Sequence, residues 1–141
     1  MATYRISFQL YSARNFPPIE KQLDTLAAIG FDAVEPYGGA YQADPQRLRD
    51  LCDAAGLAIP SCHVPLAELD ADRVKAIDTA KTLGLETVIV PAIPHDQRSK
   101  STDGWKALGA RLSEHAAALA PAGLKLAWDG LRPVVAMALP G

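Results

Sequence analysis

Four glycines sit where helical stretches stop, and their spacing restricts the folds open to this chain more than any other feature. Gly30 follows Ala27-Ala28-Ile29, Gly56 follows Asp53-Ala54-Ala55, Gly84 follows Lys81-Thr82-Leu83, and Gly123 follows Ala120-Pro121-Ala122. An apolar residue comes next each time: Phe31, Leu57, Leu85 and Leu124. Glycine at that point supplies the left-handed backbone that ends a helix, and the following apolar side chain packs back on the last turn. The steps from 30 to 56, 84 and 123 are 26, 28 and 39 residues. That is the period of a βα unit, so the chain reads as repeated βα units around a parallel sheet.

The stretches between the stops fit this frame. Residues 4–11 alternate, with Ile6, Phe8 and Leu10 on one face and Ser7, Gln9 and Tyr11 on the other; in a barrel the second set faces the interior layers. Pro17-Pro18 opens helix one, striped by Ile19, Leu23, Leu26 and Ala27. Strand two runs over 33–36, and residues 38–42 read as a flexible loop. Asp44-Pro45 caps helix two, which carries Leu48, Leu51, Cys52 and Ala55 on one face. Strand three covers 57–63, and Pro60 predicts an irregularity there. Residues 65–72 read as loop, before helix three turns Val74, Ile77, Ala80 and Leu83 inward. Strand four, 87–90, is apolar enough to be covered on both faces. A long polar loop, 91–103, precedes helix four, with Trp105, Leu108, Leu112, Ala116 and Leu119 in register. Strand five is 124–128. From there the character changes: the half-barrel domain is read as 1–128 and a divergent apolar tail as 129–141.

With 49% hydrophobic residues, 21% charged and a net charge of −2 over 141 residues, the chain has a core-forming composition and no basic footprint, so no nucleic-acid partner is expected. No apolar run approaches the ~20 residues of a membrane span, and the N-terminal residues lack a signal-peptide pattern. Cys52 and Cys62, in a helix and a strand, read as reduced thiols, and the expected location is cytoplasmic.

In parallel α/β folds ligands sit at the carboxyl ends of the strands. Those ends offer Gln9 and Tyr11, Glu35 and Tyr37, Cys62 and His63, Pro91 with His95 and Asp96 beyond, and Trp128 with Asp129. A carboxylate, an imidazole, an amide and phenols at one mouth suit a hydroxyl-rich ligand. Glu35 and His63 are the candidate proton-transfer groups, if burial lifts the carboxyl toward neutrality. Plainer readings stand beside these. Glu35 before Pro36 also suits bonding to loop amides or an arginine, His95 suits a solvent-exposed loop, Tyr11 and Trp128 suit mouth fillers, and His115 reads as structural. No phosphate loop, Ser–His–Asp order or paired-cysteine metal spacing occurs.

The runs SFQLYSARN, AAIGFDAVEPYGG, CHVPLAEL, AKTLGLETVIVPAIP and GWKALGARLSEHAAALAPAGLKLAW resemble the sugar phosphate isomerase/epimerase group of xylose isomerase-like TIM barrels, over roughly residues 4 to 128. The resemblance implies a partial TIM barrel, α/β in class, of about four βα units plus a fifth strand. It implies proton transfer next to a carbonyl of a sugar or sugar phosphate, with Glu35 and His63 as catalytic residues facing the cleft. Gln9, Tyr11, Tyr37, His95 and Trp128 are then the substrate-binding set. A divalent metal (Mn, Mg, Zn or Co) accompanies the full-length family. The pattern departs after strand five: the family continues with a tyrosine, a histidine–asparagine–histidine run and later carboxylates, where this chain reads AWDGLRPVV, with Trp128 in the tyrosine's place and Asp129 in the first histidine's. No metal ligand is therefore assigned, and the expectation is an isomerase/epimerase-like protein that is a truncated half-barrel with reduced or no activity. Open sheet edges and an uncovered apolar inner face predict self-association as a homodimer or higher homo-oligomer. Two further readings are a non-catalytic self-associating fragment and a sugar-binding module; an open flavodoxin-like sandwich is the alternative architecture.

Overall fold

The computed structural model describes residues 6–93 and 98–129. Five parallel strands alternate with helices: β1 (Ser7–Gln9), α1 (Ile19–Ile29), β2 (Ala33–Glu35), α2 (Gly38–Tyr41), α3 (Pro45–Ala55), β3 (Ser61–His63), α4 (Leu66–Ala71), α5 (Arg73–Leu83), β4 (Thr87–Val90), α6 (Thr102–Leu119) and β5 (Lys125–Trp128). All four glycine stops adopt positive φ, from 72° to 103°. The amide after each stop reaches back to a carbonyl five residues earlier, as in Phe31 to Leu26 (3.1 Å) and Leu57 to Cys52 (2.9 Å). This pairing closes the helix end with local groups alone. Asp44 caps α3 through the Arg47 amide, and Ser101 caps α6 through Gly104.

The strands form two parallel sheets, β1-β2 and β3-β4-β5. A seam joins them: Val34 donates to the Ala58 carbonyl, Ala58 to Asp32, and His63 to Pro36. Pro60 has no amide to donate, and its carbonyl accepts from Glu86 and Thr87 on the β4 side, so the alternation of hydrogen-bonding sides slips by one residue between Ala58 and Pro60, while His63 still bonds toward β2. The irregularity expected in strand three is this slip. Strand order follows sequence order, each crossover adding a strand on the same side, which places the helices on one face and gives the opening arc of a barrel. The flavodoxin-like alternative fails on this point, because covering both faces requires the order to reverse.

Alternation along the strands separates two environments. Phe8, Val34, Cys62, Val88, Val90 and Leu126 enter the helix layer and join Leu23, Leu26, Leu48, Leu69, Leu83 and Leu119 in one core. The opposite, concave face carries Gln9, Glu35, Ser61, His63, Thr87 and Lys125 beside Ala33, Ile89 and Ala127. The inner face is thus mixed rather than apolar, because Ser7, Gln9, Glu35, Ser61 and His63 occupy all its positions in the first three strands but Ala33.

Several expectations need correction. Residues 38–42 contain one turn of helix, fixed by Tyr41, which is only 3% exposed. Residues 66–71 are helical and bury Leu66 and Leu69. Val74 points to solvent at 70% exposure. On β4 only Val88 and Val90 are buried, Thr87 and Ile89 being half-covered on the concave face. Strand one is shorter than 4–11: residues 10–13 turn into a 3-10 helix and residues 1–5 lie outside the described set. His95, Asp96 and most of the 129–141 tail also lie outside it.

Candidate functional site

Three adjacent strand ends bring four polar side chains together. Gln9 and Glu35 are register partners across β1 and β2, and Ser61 and His63 stand two apart on β3, hence on one face. His63 Nε2 lies 3.2 Å from Glu35 Oε1. Gln9 Nε2 lies 3.1 Å from His63 Nδ1 and 3.4 Å from Glu35 Oε1, while Ser61 Oγ donates to Glu35 Oε2. The Tyr11 amide donates to Gln9 Oε1 at 2.6 Å. That last bond fixes which end of the Gln9 amide faces the imidazole. The amide NH₂ must then donate to Nδ1, so the ring proton resides on Nε2 and is given to the carboxylate.

Both side chains are 18% exposed, enough for a ligand to reach them. The hydrogen bond from His63, helped by those from Ser61 and Gln9, holds the Glu35 carboxyl below the ordinary carboxylate range, although burial pushes the other way. The condition that burial raise it toward neutrality is not met, because three donors outweigh the partial loss of water. At neutral pH Glu35 is an ionised acceptor and His63 presents N–H. Glu35 bonds these side chains rather than loop amides or an arginine.

The remaining candidates separate. Tyr11 and Tyr37 meet edge to face at 5.2 Å beside the cluster, with the Arg14 guanidinium 4.1 Å from the Tyr11 ring centroid; Tyr11 is 51% exposed. Trp128 pairs in register with buried Val90 and so points to the helix side, where it stacks 6.0 Å from Trp105 of α6. It does not join Glu35 and His63, because strand parity turns it away. Asp129 is exposed beyond it, and His95 lies outside the described residues. Ser61 was missed by the sequence reading, though its place two residues before His63 was the available signal. His115 is buried and structural: Arg73 Nε donates to its Nδ1 (3.0 Å) and its Nε2 faces Asp70 Oδ1 (2.9 Å).

The chain matches the xylose isomerase-like TIM barrel model over residues 23–131. It is a member of the xylose isomerase-like TIM barrel family. Among solved structures, this family member is similar to a sugar phosphate isomerase/epimerase from Parabacteroides distasonis (TM-score 0.75, 20% identity, 91% of this chain and 51% of that one). It is similar to the IolI protein with a binding zinc atom (0.73, 15%, 89% and 51%) and to a D-psicose 3-epimerase solved with D-fructose (0.66, 13%, 87% and 51%). It spans about half the length of these structures. No curated protein sequence matches it.

The described residues by themselves do not fit the divalent ion that the resemblance implies. No group of three His, Cys, Asp or Glu side chains converges among the described residues. Both nitrogens of His63 are also engaged, one on Glu35 and one on Gln9. Cys52 and Cys62 are free, buried thiols, and burial raises both, Cys52 to about 11. Among the described residues no helix is long and apolar enough to cross a membrane.

Proposed function

We propose that the Glu35–His63 pair is the proton-handling centre of a sugar or sugar phosphate isomerase/epimerase-type site, with Gln9, Tyr11 and Tyr37 positioning hydroxyl groups. The observation that carries this reading is the direct contact of an ionised carboxylate with an N–H-bearing imidazole on the concave face, at adjoining strand ends. Glu35 takes the proton from the carbon beside the substrate carbonyl. The C–H electron pair becomes a C=C bond while the carbonyl π pair moves onto oxygen, which accepts the His63 Nε2–H bond that Glu35 gives up. Return of the proton to the neighbouring carbon, with that carbon's hydroxyl proton passing to the former carbonyl oxygen, gives the isomer, whereas an epimer requires a proton donor on the opposite face. Deuterium exchange tests it: aldoses, ketoses and their phosphates are incubated with the protein in D₂O, and label is sought next to the carbonyl. Incorporation that disappears in Glu35→Gln supports the proposal; incorporation that survives it refutes Glu35 as the base.

A second reading, sugar binding without turnover, is favoured by the missing ligand set on the described strands. It predicts a saturable thermal shift with a sugar, lost in His63→Gln, and no exchange. We further propose self-association. Among the described residues β1 and β5 each leave one edge unpaired, and Ile6, Ile29, Trp105 and Trp128 are exposed. A monodisperse monomer in light scattering at high concentration would refute it.

A further inference from the structure

The backbone carbonyl of His63 is held by a side chain where a strand would normally supply an amide. The His63 amide donates to Pro36 on the β2 side (2.9 Å), and a strand residue's carbonyl leaves on the same side as its amide. The next amide, that of Val64, turns the other way and donates to Ile89. In a continued parallel ladder the donor to the His63 carbonyl is the amide two residues past Pro36, that of Gly38. The chain has left the sheet by then, because Tyr37 caps α2 and Gly38 opens it. Tyr41, at the far end of that one turn, takes the place of the missing donor. Its hydroxyl donates to the His63 carbonyl at 3.1 Å.

Tyr41 is suited to hold that position. It is 3% exposed and packs in the core, so water does not replace the bond. Burial, then the neighbouring Cys62 and Glu68, push its hydroxyl well above the ordinary tyrosine range, so it keeps its hydrogen. Glu68 also lies beside the phenol, but that carboxylate is half-buried and already accepts from Gln42. Apart from Tyr41, the side chain that reaches the His63 carbonyl among the described residues is the Cys62 thiol, a weak donor at 3.6 Å. The carbonyl therefore depends on Tyr41 more than Glu68 does. Fixing it fixes the last peptide of β3, and with it the direction in which the imidazole leaves the strand toward Glu35 (3.2 Å) and Gln9 (3.1 Å).

We propose that Tyr41 is a positioning residue for His63, its hydroxyl standing in for the absent ladder amide and pinning the end of β3 so that Nε2–H stays on Glu35. The catalytic consequence rests on the proton-transfer reading of Glu35 and His63; the positioning itself does not.

The test follows the Glu35 carboxyl of the whole chain by carbon NMR titration, in the wild type and in Tyr41→Phe, which removes the hydroxyl alone. The His63 bond is the largest influence holding this carboxyl low. Loosening it should move the Glu35 titration of Tyr41→Phe up toward the ordinary 4.5. Ser101→Ala, which weakens a helix cap away from the site, should leave it at the wild-type position. Deuterium exchange into an aldose or ketose should fall about tenfold in rate in Tyr41→Phe with KM unchanged, as for a displaced catalytic group. A Glu35 titration in Tyr41→Phe that coincides with the wild type, an equal shift in Ser101→Ala, or an undiminished exchange rate would each overturn the proposal. A shifted titration in a protein whose wild type exchanges no sugar proton supports the positioning and removes the catalytic reading instead. Should Tyr41→Phe fail to fold, the wild type decides: a slowly exchanging Tyr41 hydroxyl proton supports the bond, and a freely exchanging one overturns it.

Discussion

Replacing Glu35 by glutamine and by leucine separates the hydrogen-bond network from its charge. Three donors converge on the carboxylate: His63 Nε2 and Gln9 Nε2 on Oε1, Ser61 Oγ on Oε2. In Glu35→Gln the amide oxygen can keep the Oε1 position and accept from His63 and Gln9. The new NH₂ then faces Ser61, whose hydroxyl turns round and accepts. Every group stays satisfied, so the cost is the difference between charge-assisted and neutral bonds, about 1 kcal/mol. Glu35→Leu has no such solution. Three donors lose their acceptor at roughly 1–3 kcal/mol each, and the low end applies because 18% exposure admits water. Relief from burying a charge and the added apolar contact return about 1 kcal/mol, leaving a net loss of about 2 kcal/mol. Urea unfolding at pH 7 gives both values from midpoint shifts at constant slope. Glu35→Leu that equals the wild type in stability, or Glu35→Gln that costs as much as Glu35→Leu, would refute the network as described.

Acidification should act through His115, whose protonation is suppressed by burial, then by Arg73 and Arg111. Its folded-state pKa lies below its unfolded value, near 6.5, so the unfolded chain binds more protons, and stability is lost as pH falls through that value. His115→Gln, which can still bridge Arg73 and Asp70, should flatten unfolding curves measured between about pH 6.5 and 5. Glu35 is depressed likewise, and its contribution should vanish only at lower pH, below the ordinary 4.5. Two glycine stops with φ of 72° should differ on mutation to alanine. A Cβ at Gly56 meets nothing within 4 Å, so only backbone strain of about 1 kcal/mol applies. At Gly84 the Cβ falls 2.9 Å from Arg49 Nη1, which bonds the Leu83 carbonyl, so Gly84→Ala should cost about 1 kcal/mol more by chemical denaturation. Ser101→Ala should remove the cap of α6 and about 1 kcal/mol, read in the same assay.

What was legible in the sequence is what closes within a few residues. The glycine stops, the Asp44 cap, the strand alternation and the break at Pro60 all follow from bonds and sterics inside one turn or one strand. Their repetition announced a parallel βα arc, and the strand-end rule put Gln9, Glu35 and His63 at one mouth. The helices at Gly38–Tyr41 and Leu66–Ala71 were read as loops because segments of four and six residues do not hold a helix by propensity; Tyr41, Leu66 and Leu69 form them by burial in a core assembled from distant segments. The site's chemistry is of the same kind. The His63 proton position, the lowered Glu35 carboxyl and the role of Ser61 rest on contacts spanning 26 and 54 residues of chain. The direction of Trp128 depends on register with β4. Local sequence sets where the backbone turns, whereas the state of a side chain depends on which partners the sheet brings within hydrogen-bond distance.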